Sequence, residues 1–179
     1  MRPIENMSVL ITGGGSGIGE GAARHFANQG ALVTITGRRS EPLQAVAAAI
    51  GERCHAVVGD VTVAADRTRI VAEAARFGGG LDGLISNAGN MYRCEVPDFE
   101  EDRLLEVFNT NVVGGMMLTK EAHPHLKASQ GCIVFVGSVH TQRAFPDASP
   151  YAATKGALEA LTGVLAAELG RDNIRVSCV

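Results

Sequence analysis

The sequence predicts a single α/β domain built on a doubly wound parallel sheet with helices on both faces, and three observations predict it. Short aliphatic, β-branched runs alternate with longer helical segments along the whole chain, the pattern of βαβ units joined by right-handed crossovers. The runs are continuously apolar, as strands covered on both faces are. A glycine-rich turn separates the first run from the first helical segment, where this architecture opens a crevice at helix N-H groups. With 179 residues, 46% of them hydrophobic and 20% charged, residues 1–179 suffice for one core and are read as one domain.

The elements follow in order. Met7 to Thr12 is a β-branched and aliphatic run ending in glycines and reads as a buried strand. A helix is predicted from Gly17 to Gln29, stopped by Gly30, then a strand from Ala31 to Thr36, a helix from Glu41 to Ile50 and a strand from Cys54 to Val58. Thr62 is expected to cap a helix reaching Phe77, its side-chain oxygen accepting from free first-turn amides. Leu81 to Ser86 is the fourth strand, Phe99 to Leu126 a long helical stretch and Cys132 to Gly137 the fifth strand. Tyr151 to Gly170 is a helix, and Ile174 to Val179 begins a sixth strand. The chain therefore ends inside an apolar strand with an uncovered edge, which reads as a fragment or a shortened protein.

Composition narrows the function classes. Sixteen basic against nineteen acidic residues give a net charge of -3, with no basic run and only 4% aromatics, so nucleic acid is not an expected partner. Cys54, Cys94, Cys132 and Cys178 are scattered, without a CxxC pair, and read as reduced thiols of a cytoplasmic protein. The N-terminus lacks the apolar core and cleavage site of a signal peptide. No segment has the roughly 18 to 20 uninterrupted apolar residues of a membrane span.

The turn Thr12-Gly13-Gly14-Gly15-Ser16-Gly17-Ile18-Gly19 suits a dinucleotide pyrophosphate. Glycine lets the backbone approach a phosphate, and the helix start supplies N-H groups and a positive dipole end. Alone, the same turn reads equally as a flexible connector. Its spacing is GxxxGxG rather than GxGxxG. TGxxxGIG resembles the short, single-domain branch of the short-chain dehydrogenase/reductase family, whose fold is Rossmann-type. Extended relatives such as sugar-nucleotide epimerases usually carry TGxxGxxG, which ranks an epimerase below a simple dehydrogenase.

At the end of the second strand, where an acid would hold the ribose of NAD, the chain reads Thr36-Gly37-Arg38-Arg39. Without that carboxylate a 2'-phosphate is not repelled, and a guanidinium grips it with two hydrogen bonds. NADP(H) is favoured and NAD(H) kept as possible; a solvated arginine pair is the other reading, and Ser16 is not the basic residue often found there in NADP-preferring relatives. Asp60, before Val61, matches the family's adenine-contacting acid or else satisfies amides at a helix start. Ser86-Asn87-Ala88-Gly89 resembles the family's NNAG segment with the first Asn replaced.

Tyr151-Ala152-Ala153-Thr154-Lys155 places a phenol and an ammonium one turn apart on one helix face. An ammonium stabilises a phenolate, which suits Tyr151 to exchange a proton with a substrate oxygen. YxxxK alone is common on ordinary helices, but Ser138 follows the fifth strand 13 residues earlier, as in the family. The resemblance implies that Ser138 orients the substrate oxygen, that Lys155 also bridges the nicotinamide ribose, and that Asn111 supports a proton relay through water. Hydride transfer between nicotinamide and a small alcohol or ketone is the implied activity.

His140, Gln142, Arg143 and Phe145, with Met91, Tyr92 and Arg93, are candidate pocket walls. His140 reads as a wall residue rather than a second acid/base. His123 and His125 bracket Pro124 without a carboxylate at ligand spacing, so no metal site is expected. The helix from Tyr151 is apolar almost all round and is expected to bury a second face. Family members commonly pair through it and the Phe99 to Leu126 stretch, implying a homodimer or homotetramer. The resemblance also implies a further strand and a substrate lid beyond Val179. The rival reading from another class is a non-catalytic dinucleotide-binding or interaction module.

Overall fold

The computed structural model describes residues 3–179. Six strands form one parallel sheet: β1 (Ser8–Thr12), β2 (Leu32–Gly37), β3 (Cys54–Val58), β4 (Gly83–Ser86), β5 (Cys132–Phe135) and β6 (Arg175–Cys178), in the spatial order β3-β2-β1-β4-β5-β6. The chain steps outward from β1 to β3, returns to the centre, and steps outward again from β4 to β6. The direction reverses between β1 and β4, which pair with Val9 opposite Gly83 and Ile11 opposite Ile85. A crevice opens where connections leave the carboxyl ends of two such strands in opposite directions.

The central strands β1, β2 and β4 are buried along nearly their whole length because both faces are covered, whereas the edge strand β6 alternates exposed and half-buried residues. Leu10, Leu84, Ile133 and Phe135 face one core with Ile70 and Val71 of α3 (Ala64–Gly78), Leu118 and Leu126 of α5 (Gly114–Ser129) and Leu158 of α6 (Ser149–Leu169). Their neighbours Val9, Ile11 and Ile85 face the other with Ala23 of α1 (Gly17–Asn28) and Leu43 of α2 (Ser40–Ile50). Period-two alternation puts neighbouring side chains into opposite cores. Truncating a wholly buried side chain such as Phe135 costs about 3 to 5 kcal/mol.

Two elements depart from the sequence prediction. The single helix expected from Phe99 is two: α4 (Glu101–Phe108) and α5, joined by a π turn over Asn109–Val113. Propensity does not register the extra residue; a tertiary anchor on Asn111 holds it. Thr62 does not cap α3, which starts at Ala64 after Val63. Its hydroxyl and main-chain N-H instead donate to Asp60 Oδ1 at 2.8 and 2.9 Å, while Asp66 accepts from the Asp60 N-H at 2.8 Å.

The C-terminal turn is tied to α5 by a carboxylate that sequence spacing did not connect to His123. Asp172, in the turn before β6, accepts from His123 Nε2 at 2.8 Å and Lys127 Nζ at 2.9 Å. The Lys127 ammonium, with His123, holds its carboxyl below the ordinary 3.8. A depressed carboxyl contributes stability above its unfolded value and loses it as pH falls through its folded value. Asp172→Asn should therefore melt below the parent protein at pH 7, and the gap should close below the ordinary 3.8; calorimetry across that range checks it.

Along α6, Pro150, Thr154, Lys155 and Leu158 are buried, whereas Val164 is 56% exposed. Leu105 and Phe108 of α4 and Met116 of α5 are exposed too. Among the described residues no helix is long and apolar enough to cross a membrane.

Candidate active site

The glycine turn after β1 and the Asn87 turn after β4 meet at the sheet's reversal point and are bonded together. Thr12 Oγ1 accepts from the N-H groups of Asn87 and Ala88 at 2.9 and 2.8 Å, and Asn87 Nδ2 donates to the Thr12 carbonyl at 2.8 Å. Gly13 and Gly17 have φ of 67° and 57°, a region that favours glycine. The turn therefore presents the start of α1 to a cleft of about 360 Å³.

Most of the predicted cofactor residues line that cleft: Gly13, Gly15, Ser16, Ile18, Arg38, Arg39, Asp60, Val61, Asn87, Ala88 and Gly89. Gly17 and Gly19 do not line it and act on the turn's shape, and Tyr151 and Lys155, also predicted to hold the cofactor, lie outside its lining. Arg38 and Arg39 are exposed at its rim, and neither is ion-paired among the described residues. One Asp60 oxygen is engaged by Thr62, so its amide-satisfying role is realised while the residue still borders the cleft. Thr36 Oγ1 and Asn90 Oδ1, from two further lining residues, are buried without partners among the described residues. Buried polar groups are normally hydrogen-bonded. A Gly-lined anion cradle with basic residues at one end and unmet polar atoms in its wall fits a dinucleotide.

The other predicted residues gather beside the ends of β5 and α6. Lys155 is 5% exposed, and its Nζ donates to the Val136 carbonyl at 2.7 Å and lies 5.5 Å from the Tyr151 ring centre. Burial pushes its ammonium below the ordinary lysine value. Ser138 Oγ is 3.0 Å from His140 Nδ1, and the His140 ring stands edge-on to Tyr151 at 5.2 Å. Asn111 is buried: its Oδ1 accepts from the Asn90 N-H at 2.8 Å, and its Nδ2 donates to the Asn90 carbonyl at 2.9 Å and to Thr154 Oγ1 at 3.0 Å. The side-chain amide is thus fully engaged in locking the π turn to the Asn90 peptide and α6.

A second cavity of about 720 Å³ is lined by His140, Gln142, Arg143 and Phe145, with Ala152 of α6 and Cys94 to Val96 opposite. The expected wall from Met91 to Arg93 does not line it. Tyr92 Oη accepts from the Glu100 N-H at 3.3 Å, and Arg93 faces Asp147 at 3.4 Å.

Residues 7–179 match the family model described as short chain dehydrogenase. The chain belongs to the short-chain dehydrogenase family. Dehydrogenase/reductase SDR family member 4 of Sus scrofa is 36% identical over 183 residues, an alignment covering 99% of this chain and 66% of that protein. A tropinone reductase homologue of Arabidopsis thaliana is 37% identical over 177 residues, covering 96% and 67%. A 3-ketoacyl-(acyl-carrier-protein) reductase of Brucella melitensis complexed with NADH superposes with a TM-score of 0.95 at 34% identity, covering 98% of this chain and 75% of that one. A short-chain dehydrogenase/reductase of Caenorhabditis elegans with cofactor gives 0.92 at 34% identity, covering 99% and 70%. The chain thus spans just under two thirds of the length of the pig relative.

Sequence reasoning missed several residues that hold the site in this family member. Thr154, an unassigned position inside YxxxK, donates to the Tyr151 carbonyl at 2.7 Å while receiving Asn111. Arg67, to which the sequence assigned no role, is 6% exposed and donates to the Val61 carbonyl at 2.8 Å, pinning the Asp60 loop. A contact 43 residues away distinguishes Thr154 from an ordinary helix residue, and burial against the preceding loop distinguishes Arg67.

Proposed function

We propose that this chain carries the cofactor and catalytic parts of an NADP(H)-preferring oxidoreductase that interconverts an alcohol and a carbonyl. The observation that carries the reading is the buried Lys155 ammonium beside the Tyr151 ring, next to the strand end bearing Ser138. An ammonium so placed has no stability role that a neutral side chain would not fill at lower desolvation cost.

When bound, the nicotinamide supplies or accepts the hydride. Gly13, Gly15, Ser16 and the α1 N-terminus would hold the pyrophosphate, Asp60 and Val61 the adenine side, and Asn87 to Gly89 the turn beside the nicotinamide. Ser138 holds the substrate oxygen by a hydrogen bond. In reduction Tyr151 gives its proton to that oxygen as negative charge develops there; in oxidation it takes the proton from the alcohol. Lys155, fixed by the Val136 carbonyl, stabilises the phenolate. Because the Asn111 amide is engaged by Asn90 and Thr154, a relay through water would use main-chain groups of the π turn rather than that side chain.

The preference for NADP(H) rests on Arg38 and Arg39 at the cleft rim and on Gly37 where an acid would select NAD. A charged hydrogen bond contributes about 1.5 to 3 kcal/mol and solvent screens the exposed pair, so Arg38→Ala with Arg39→Ala should raise the Kd for NADPH by about the worth of one such bond, roughly 10- to 100-fold, and leave that for NADH nearly unchanged. Fluorescence titration with both cofactors reads this directly. Equal losses for the two would sink the preference, and tighter binding of NADH by the parent chain would reverse it.

We also propose a second copy of the chain over the exposed apolar residues Leu105, Phe108, Met116 and Val164. A monomeric sedimentation profile at micromolar concentration counts against that pairing.

A further inference from the structure

The Ser138 hydroxyl has one proton to give and two lone pairs to offer, so its neighbours decide what remains for a substrate. Ser138 Oγ accepts from the His140 main-chain N-H at 3.3 Å and lies 3.0 Å from His140 Nδ1. With Nδ1 bare, the serine proton points at the imidazole and none is left for a substrate. With Nδ1 protonated, Oγ accepts twice from His140 and its own proton is free.

The far side of the ring favours the second arrangement. His140 Nε2 is buried and has no partner among the described residues. A buried orphan N-H is rarer in proteins than an under-satisfied acceptor, so the proton belongs on Nδ1 and the lone pair on Nε2. The ring is held in place by Phe145, at 4.4 Å between centres, and by the edge-on Tyr151. It also borders the second cavity.

We propose that His140 is a positioning residue for hydride transfer: its Nδ1-H donates to Ser138 Oγ and so turns the serine proton toward the substrate oxygen. The inference rests on the reading of Ser138 as the substrate-orienting group. It assigns His140 no proton transfer of its own.

Long-range nitrogen-proton correlation on the histidine-labelled chain tests the hydrogen bond without any turnover. His140 should carry its proton on Nδ1, against the preference of free imidazole for the other nitrogen, and Ser138→Ala should return it to Nε2. A proton on Nε2 in the parent chain overturns the proposal. Turnover of NADPH with 4-nitrobenzaldehyde as probe tests the consequence. His140→Asp places an acceptor where Nδ1 sits and should lower kcat roughly 10- to 100-fold, the scale of a misplaced reacting group. His140→Asn places an amide N-H there and should retain most of the activity. In the Ser138→Ala background neither change should have a further effect.

Equal losses in the Asp and Asn variants, or losses that add to that of Ser138→Ala, overturn the positioning role. So does a Ser138→Ala chain that loses turnover while His140→Asp does not. Turnover unaffected by both Ser138→Ala and Tyr151→Phe, or absent from the parent chain, overturns the hydride-transfer reading itself, and the tautomer measurement then stands apart from it.

Discussion

Tyr151→Phe should abolish most turnover while leaving dinucleotide binding intact. The substitution removes one oxygen and keeps the ring that packs edge-on against His140 and beneath Lys155, so the fold has little to lose. What disappears is the only proton-exchanging group proposed to touch the substrate oxygen. General acid-base catalysis contributes about 10²- to 10⁴-fold, and kcat should fall by that factor with the Kd for NADPH unchanged. Lys155→Met should also lose turnover, and it should weaken the cofactor as well, because the ammonium is proposed to reach the ribose. A Tyr151→Phe protein with unchanged turnover would remove Tyr151 from the mechanism and favour a binding module.

Gly19→Ala is expected to damage both stability and cofactor affinity although it adds one methyl group. A Cβ there would overlap the Gly13 carbonyl oxygen and come within 2.7 Å of Asn87 Nδ2. Neither can swing aside, since one is backbone and the other is bonded to Thr12. Overpacking of this kind costs about 1 to 3 kcal/mol, and at roughly 2 to 4 °C per kcal/mol for a chain of this size the Tm should fall several degrees. Relief requires the glycine turn to move, so NADPH affinity should fall by an order of magnitude or more. Gly21→Ala is the control. Two residues on in the same helix and on another face, a Cβ there meets nothing within 4 Å and should raise stability by up to about 1 kcal/mol through helix propensity. If both variants behave alike in a thermal melt, the steric account of the turn is wrong.

The strands were legible because each announces itself locally. A sheet covered on both faces demands unbroken apolar runs, and β3 spans the Cys54 to Val58 that its composition marks. The cleft residues were legible for a similar reason: glycines, Asn87 and the arginine pair lie in turns that follow strands, and the topology brings strand ends together. The poor helix propensity of Asn111 suits a local irregularity but does not specify a π turn, because an α-helical ladder and a π-helical one make nearly the same local demands. The Asn90 peptide and Thr154 hydroxyl that favour the latter lie 21 and 43 residues away. The Thr62 cap failed because Asp60, two residues earlier, competes successfully for the hydroxyl.

By itself the sequence determined the parallel α/β architecture, the glycine turn at its switch point and the order of Ser138, Tyr151 and Lys155 along the chain, since each depends on short-range pattern and spacing. Only the tertiary structure decided that Lys155 is buried on the Val136 carbonyl, that the Asn111 amide is engaged, that Arg67 pins the Asp60 loop and that His140 Nδ1 meets the Ser138 hydroxyl. These are hydrogen-bond facts: those of Lys155 and Asn111 join groups on different elements, and those of Arg67 and His140 join groups six and two residues apart. No local pattern encodes them, because the same residue types in the same order fit a solvated helix or a bare loop equally well until packing removes the water.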